Sequence, residues 1–220
     1  MKLFERLKAD AAPQWASYVD HEFVRQLGKG ELPLNAFKHY LVQDYLFLLQ
    51  FARAYALGIY KSPTVGDMRQ SLDGVKAILD VELDLHLELC GSWGMTREDI
   101  ESAPEDTPTM AYTRFVLDAG MSGDLLDLQA ALAPCVIGYA EIGSALMNTG
   151  AASESNPYGR WIQEYGSDAY QDLAKGFANW IDETGDVYLT EARYPRLLSL
   201  FEKASRLEAD FWQMGLDAAG

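Results

Sequence analysis

The sequence predicts an all-α fold, a single-domain helical bundle over residues 1–220. Three observations carry this expectation. Apolar residues recur at spacings of three and four along nearly the whole chain. Glycines, prolines and capping residues interrupt those stretches at intervals suited to helices. Val, Ile and Thr never gather into alternating runs between hairpin turns, so no strand is expected. No internal repeat, low-complexity tract or linker divides the chain, and 220 residues with 49% apolar content suffice for one substantial core.

Taken in order, the first helical stretch runs over about residues 2 to 28 and ends at "GKGELP", where two glycines and Pro33 break it. "LNAFKHYLVQDYLFLLQFARAYALGIYK" follows as a long, heavily buried helix with Asn35 as its expected cap. "TVGDMRQSLDGVKAILDVELDLHLELCGSWG" reads as one helix closing at "GSWG". In "DTPTMAYTRFVLDAG", Thr107 and Pro108 form an N-cap and first-turn proline; Asn156 and Pro157 repeat the device in "SNPYGRWIQEYG". Between them lies "ALAPCVIGYAEIG", helical in pattern although it contains Pro134. Interior proline removes one backbone hydrogen bond and costs about 3 kcal/mol. A kink is therefore expected immediately before Cys135. "GSDAYQDLAKGFANWIDETG" opens on Ser167 and is expected to stop at Gly185, and a last helix covers about residues 191 to 217. The total is roughly eight or more helices.

Charge and cysteine content narrow the function. The formal net charge of −15 is spread along the chain, which disfavours nucleic acid and anionic membrane surfaces as partners. No apolar run approaches the ~20 residues of a membrane helix, and the N-terminus lacks the apolar core of a signal peptide. Two cysteines without a secretory signal suggest free thiols in a reducing compartment, so the expected location is the cytoplasm.

Several polar positions stand out against apolar helices. Asp44 shares a stripe with Phe47 and Phe51, and Glu208 lies at i, i+3 and i+4 from Phe211 and Trp212. Taken alone, each reads more readily as a structural acid than as a functional one. Cys135 and Tyr139 lie one turn apart, placing a thiol and a phenol on one face. A thiol at its ordinary pKa needs a base or positive potential to act as a nucleophile at neutral pH. No cation is near Cys135 in sequence, so activation has to come from the substrate or from another helix. Cys90 reads as a core residue. Glu82 and His86, at i and i+4, have metal-ligand spacing, but with three histidines in the chain (His21, His39 and His86) a Glu–His hydrogen bond is the favoured reading.

The segments "LVQDYLFLLQFARAYA", "TPTMAYT", "LAPCVIGYAEIG", "NPYGRWIQEYGSD" and "EADFW", in this order and at these separations, resemble the TenA family, also called thiaminase II or aminopyrimidine aminohydrolases. The resemblance covers essentially the whole chain. It implies the haem-oxygenase-like all-α fold and hydrolysis of 4-amino-2-methylpyrimidines that carry a leaving group on the 5-methylene, with thiamin as a slower substrate. By resemblance, Cys135 is the catalytic thiol and Glu208 the acid/base at the pyrimidine ring. Asp44 is a catalytic carboxylate that holds the amino-pyrimidine edge and assists the thiol's addition. Tyr112 and Tyr165 supply hydroxyls, with Tyr158 as the alternative to Tyr165, and Phe47 and Tyr139 sandwich the ring. Many relatives carry tyrosine where this chain has Phe47. Another branch uses a glutamate in place of the cysteine, so Cys135 puts this chain in the cysteine branch. No cofactor or metal is implied, and the family's usual assembly is a homotetramer.

Two other classes stay in view. A metal-dependent oxygenase on this fold would use Glu82 and His86 and lose activity to a chelator, and a haem protein would need an axial histidine such as His21. A regulator or carrier would bind the pyrimidine without turning it over.

Overall fold

Where the pattern predicts one N-terminal helix there are three: α1 (Leu3–Asp10), α2 (Ala12–Val19) and α3 (Glu22–Lys29). Pro13 cannot sit deep inside a helix, and the chain restarts so that it falls in the first turn of α2. His21 starts α3 by accepting a hydrogen bond from the Phe23 amide at 3.2 Å. Gly30 ends it in the left-handed region, φ 74°. The computed structural model describes residues 1–219, and among these no strand is found.

α4 (Leu34–Lys61) is the long buried helix expected, spanning about 42 Å at 1.5 Å per residue. Asn35 does not cap it: Pro33 precedes the first turn and no side chain caps the helix. The next expected helix is interrupted. α5 (Val65–Ala77) is capped by Thr64, then a π-helical turn occupies Ile78–Glu82, and α6 (Leu83–Gly91) follows. A π turn inserts one residue into the helical repeat and rotates what comes after it, a feature common at functional sites. A short helix, α7 (Arg97–Glu101), has a complete Thr96–Asp99 capping box that the sequence reading passes over.

α8 (Thr107–Ser122) has Asp106, not Thr107, at its N-cap, and the Asp106 carboxylate is turned instead to His39 at 2.7 Å. α9 (Leu125–Asn148) continues as α-helix past Pro134. It is long and apolar enough to cross a membrane, contrary to expectation, but it packs at the centre of the bundle against α2, α4, α8, α11 and α12. α10 (Gly159–Tyr165) starts later than Asn156–Pro157 suggests. The Asn156 amide is used otherwise, donating to the carbonyls of Ala151 (2.8 Å), Leu27 (3.1 Å) and Gly28 (3.3 Å), while its oxygen accepts from the Tyr158 amide (2.9 Å). Asn156 thus ties the α9–α10 loop to the end of α3. Asn156→Ala should destabilise the protein by about 1–3 kcal/mol, since it strips partners from several carbonyls at once; chemical denaturation measures this.

Ser167 caps α11 (Asp168–Tyr188) as expected. Gly185 does not end it. A Cβ there would sit 2.7 Å from Leu3 Cδ2, so this glycine admits α1 against α11. α12 (Tyr194–Asp217) completes the bundle. One connected apolar core runs from Leu3 to Met214. α9 and α12 form its centre, with α4, α8 and α11 around them.

Candidate active site

Five helices carry the residues singled out in sequence to the middle of the bundle. α4 brings Asp44 and Phe47, α8 Tyr112, α9 Cys135 and Tyr139, α10 Tyr165 and α12 Glu208. All seven are buried, Asp44 with 3% and Glu208 with 2% of its surface exposed. Two carboxyls at such depth need partners, and both have them. Tyr112 donates to Glu208 Oε1 at 2.8 Å. Asp44 Oδ2 accepts from the Tyr40 hydroxyl at 2.9 Å and meets His86 Nε2 at 2.7 Å.

The aromatic residues fall into two groups. Phe47 packs on Phe51, Tyr112 and Phe211, with ring centroids 5.0, 4.9 and 5.7 Å away. Tyr139 packs on Tyr165, Trp212 and Trp161 at 4.9, 5.3 and 5.9 Å. Of the two candidate tyrosines, Tyr165 faces the acids, donating to Glu82 Oε2 at 3.3 Å. The Tyr158 hydroxyl points away and donates to the Leu32 carbonyl.

Electrostatics divide the ionisable groups. Burial, aided by the charge on Asp44, raises the Glu208 pKa to about 8, against the opposing bonds from Tyr112 and Cys135. Glu208 is therefore a protonated acid at neutral pH. Burial likewise raises Glu82 to about 7, again with Asp44 contributing. The Cys135 thiol is pushed well up by burial and then by Glu208, Glu82 and Asp44. It rests as a neutral thiol, so its proton must leave when a substrate arrives. Cys90, in the core, is raised to about 11 by burial.

Several neighbours escaped the sequence reading. Tyr40, one turn before Asp44, orients that carboxylate, and its spacing of four residues could have revealed it. The Tyr40 oxygen in turn accepts from Trp161 Nε1 at 3.3 Å and lies 3.3 Å from the Tyr139 hydroxyl. The expected Glu82–His86 side-chain bond does not form. His86 Nδ1 meets the backbone carbonyl of Glu82 at 2.7 Å, and Nε2 is taken by Asp44. Both ring nitrogens are occupied, so the pair is not arranged as metal ligands, and no cluster of three or more potential ligands occurs among the described residues. His21, the axial-histidine candidate, uses Nδ1 to cap α3.

A cavity of about 20 Å³ adjoins Cys135, with Glu82, Phe51, Tyr55, Ile78 and Tyr170 in its wall. It has room for about one water molecule. A larger opening of about 230 Å³ at the surface, between α5 and α11, shares Tyr55, Gly74 and Leu173 with it. These residues stand between the surface opening and the cavity at the thiol.

Fold and site together define a haem-oxygenase-like helical bundle whose centre holds a thiol and carboxylic acids. A domain from Shewanella denitrificans described as having a heme oxygenase-like fold superimposes with a TM-score of 0.72 at 15% identity, covering 97% of this chain and 92% of that one. The chain belongs to the TENA/THI-4/PQQC family, whose sequence model matches residues 8–218. The aminopyrimidine aminohydrolase of Halalkalibacterium halodurans is 36% identical over 214 residues, 97% of this chain and 95% of that protein. A solved structure from Silicibacter sp. TM1040, described as a TenA family transcription regulator, is 44% identical with a TM-score of 0.93, covering 98% and 96%.

Proposed function

We propose that this chain is an aminopyrimidine aminohydrolase of thiamin salvage. Its substrates are 4-amino-2-methylpyrimidines with an amine on the 5-methylene, and thiamin more slowly; its product is 4-amino-5-hydroxymethyl-2-methylpyrimidine. The observation that carries this reading is the convergence of Cys135, Glu208 and Asp44 from three helices, with Glu208 held protonated beside the thiol.

The reaction asks for that set. An aromatic ring expels a group from its methylene poorly, because the ring cannot readily absorb the charge that develops. Addition of the thiol sulfur to the ring, its proton passing to the Asp44 carboxylate and on to the departing amine, breaks aromaticity, and a proton from Glu208 to a ring nitrogen drives that addition. The electron pair then leaves through the methylene with the amine. Water adds at the methylene, and loss of the thiol restores the ring. Asp44, fixed by Tyr40 and His86, holds the amino-pyrimidine edge. Tyr112 steadies Glu208. Phe47 and Tyr139 supply the two stacking faces, and Tyr165 is a further hydroxyl at the site. No cofactor takes part. In this reading the protein is a cytoplasmic homotetramer.

The Silicibacter relative's description raises a regulatory reading, which a net charge of −15 disfavours where the partner is DNA. A metal-dependent oxygenase is disfavoured by the engagement of both His86 nitrogens. Ammonia release from 4-amino-5-aminomethyl-2-methylpyrimidine, with and without chelator, separates these readings. Release that ignores the chelator supports the hydrolase. A folded protein that binds the pyrimidine without releasing ammonia is a carrier or regulator, and activity that disappears with chelator returns the metal to consideration.

A further inference from the structure

His86 is fully buried, and the hydrolytic scheme above has no use for its ring beyond contact with Asp44. Its hydrogen bonds nonetheless fix a proton count. A carbonyl oxygen only accepts, so the 2.7 Å contact with the Glu82 carbonyl places a proton on Nδ1. Nε2 lies 2.7 Å from Asp44 Oδ2, a contact that also requires a proton between its two atoms. The pair therefore holds two protons in all, and the second belongs to either the ring or the carboxyl.

The surrounding network decides between them. Trp161 Nε1 can only donate, and its partner is the Tyr40 oxygen. The single Tyr40 proton is directed to Asp44 Oδ2, so the Tyr139 hydroxyl, 3.3 Å from Tyr40, is the donor in that contact. The same Oδ2 that faces His86 thus already accepts from a phenol whose own oxygen is polarised by two donors. That arrangement suits a carboxylate, and the proton is left on the imidazole.

We infer that His86 is a buried imidazolium, the positioning residue that keeps Asp44 ionised and aimed within a site otherwise made of acids, phenols and a thiol. The inference rests on the hydrolase reading only for its effect on catalysis. The groups that face the ring are Asp44 from α4, with Tyr40 bound to the same carboxylate oxygen, and Glu82 from the π turn; none of them can carry positive charge. The nearby cations lie elsewhere: Lys38 over the Trp93 ring and Arg160 on exposed Glu88. Although burial works against the charged ring, the bonds to Asp44 and Glu82 outweigh it and raise the His86 pKa. His86 so supplies the cation that the surroundings of Cys135 lack. It also settles which carboxyl is the anion, leaving Glu208 as the acid.

The test begins with the unmodified protein and needs no turnover. Because the chain has three histidines, ¹⁵N-histidine NMR resolves each ring, and His86→Gln assigns the signal. Both His86 nitrogens should be protonated at neutral pH, and should remain so above the titration of His21, whose pKa burial and Arg25 lower. A ring with one protonated nitrogen would overturn the inference whatever the protein's activity. The pH profile of kcat/KM supplies the second readout. In His86→Gln its acid limb should move up by about one pH unit or more, because the acids of the site, Glu82 among them, lose the positive charge beside them. Lower activity with an unmoved limb would reduce His86 to packing and overturn the positioning role. A wild type that releases no ammonia would sink the hydrolase reading, and the NMR result would still decide the charge on His86.

Discussion

Cys135→Ser should fold like the wild type and lose turnover of the aminomethylpyrimidine by roughly a thousandfold or more. The change swaps one atom in a buried side chain, so thermal unfolding should barely move. The chemistry differs sharply. A hydroxyl gives up its proton far less readily than a thiol and adds less well to an aromatic ring. Cys135 already starts from a raised pKa, so the site has no margin for a poorer nucleophile. Cys90→Ser is the matched control, since Cys90 lies in the core of α6 away from the acids and its replacement should leave kcat intact. Equal activity in Cys135→Ser and wild type would remove the thiol-addition mechanism.

Glu208→Gln should lower kcat by about a hundredfold to ten-thousandfold and, at the same time, stabilise the protein near neutral pH. The two effects share one cause. The carboxyl titrates near 8 in the folded protein against an ordinary 4.5, so the folded state keeps its proton while the unfolded chain releases it. Stability is therefore full below about pH 4.5 and falls as pH rises toward 8. At about 1.4 kcal/mol per pH unit, the loss reaches about 3 kcal/mol by pH 7. Glutamine ionises in neither state and can still accept from Tyr112. The variant's Tm should exceed the wild type's at pH 7 and match it at pH 4. Parallel stability curves across that range would mean that Glu208 is not a raised acid. If both effects appear, the fold gives up stability to keep an acid at its centre, as functional sites often require.

The long helices were legible because their cause is local. α4, α9 and α12 follow from apolar periodicity over many turns, and Ser167 is a cap that acts within three residues. Errors arose where a residue's partner is distant. Asn156 resembled a cap but clasps Leu27 and Gly28 of α3, and Gly185 resembled a stop but makes room for Leu3. Asp106 displaced Thr107 at the start of α8 while its carboxylate reached His39 on α4. The π turn shows in the sequence only as a shift of spacing: Ile78 and Leu83, both buried, stand five residues apart across it, a step too small to stand out among the surrounding apolar residues.

The sequence by itself determined the chemistry available to this protein. It contains a thiol one turn from a phenol, two acids set among aromatics on separate helices, and only three histidines. Tertiary structure alone decided how that chemistry is divided. Asp44, Glu82 and Glu208 are similar carboxyls in sequence. Asp44 meets an imidazole and a phenol, whereas Glu82 and Glu208 meet a phenol each and are raised by burial. The physical reason is that a buried carboxyl's protonation state depends on how much water it has lost and which proton faces it. Both are set by residues brought together from distant parts of the chain.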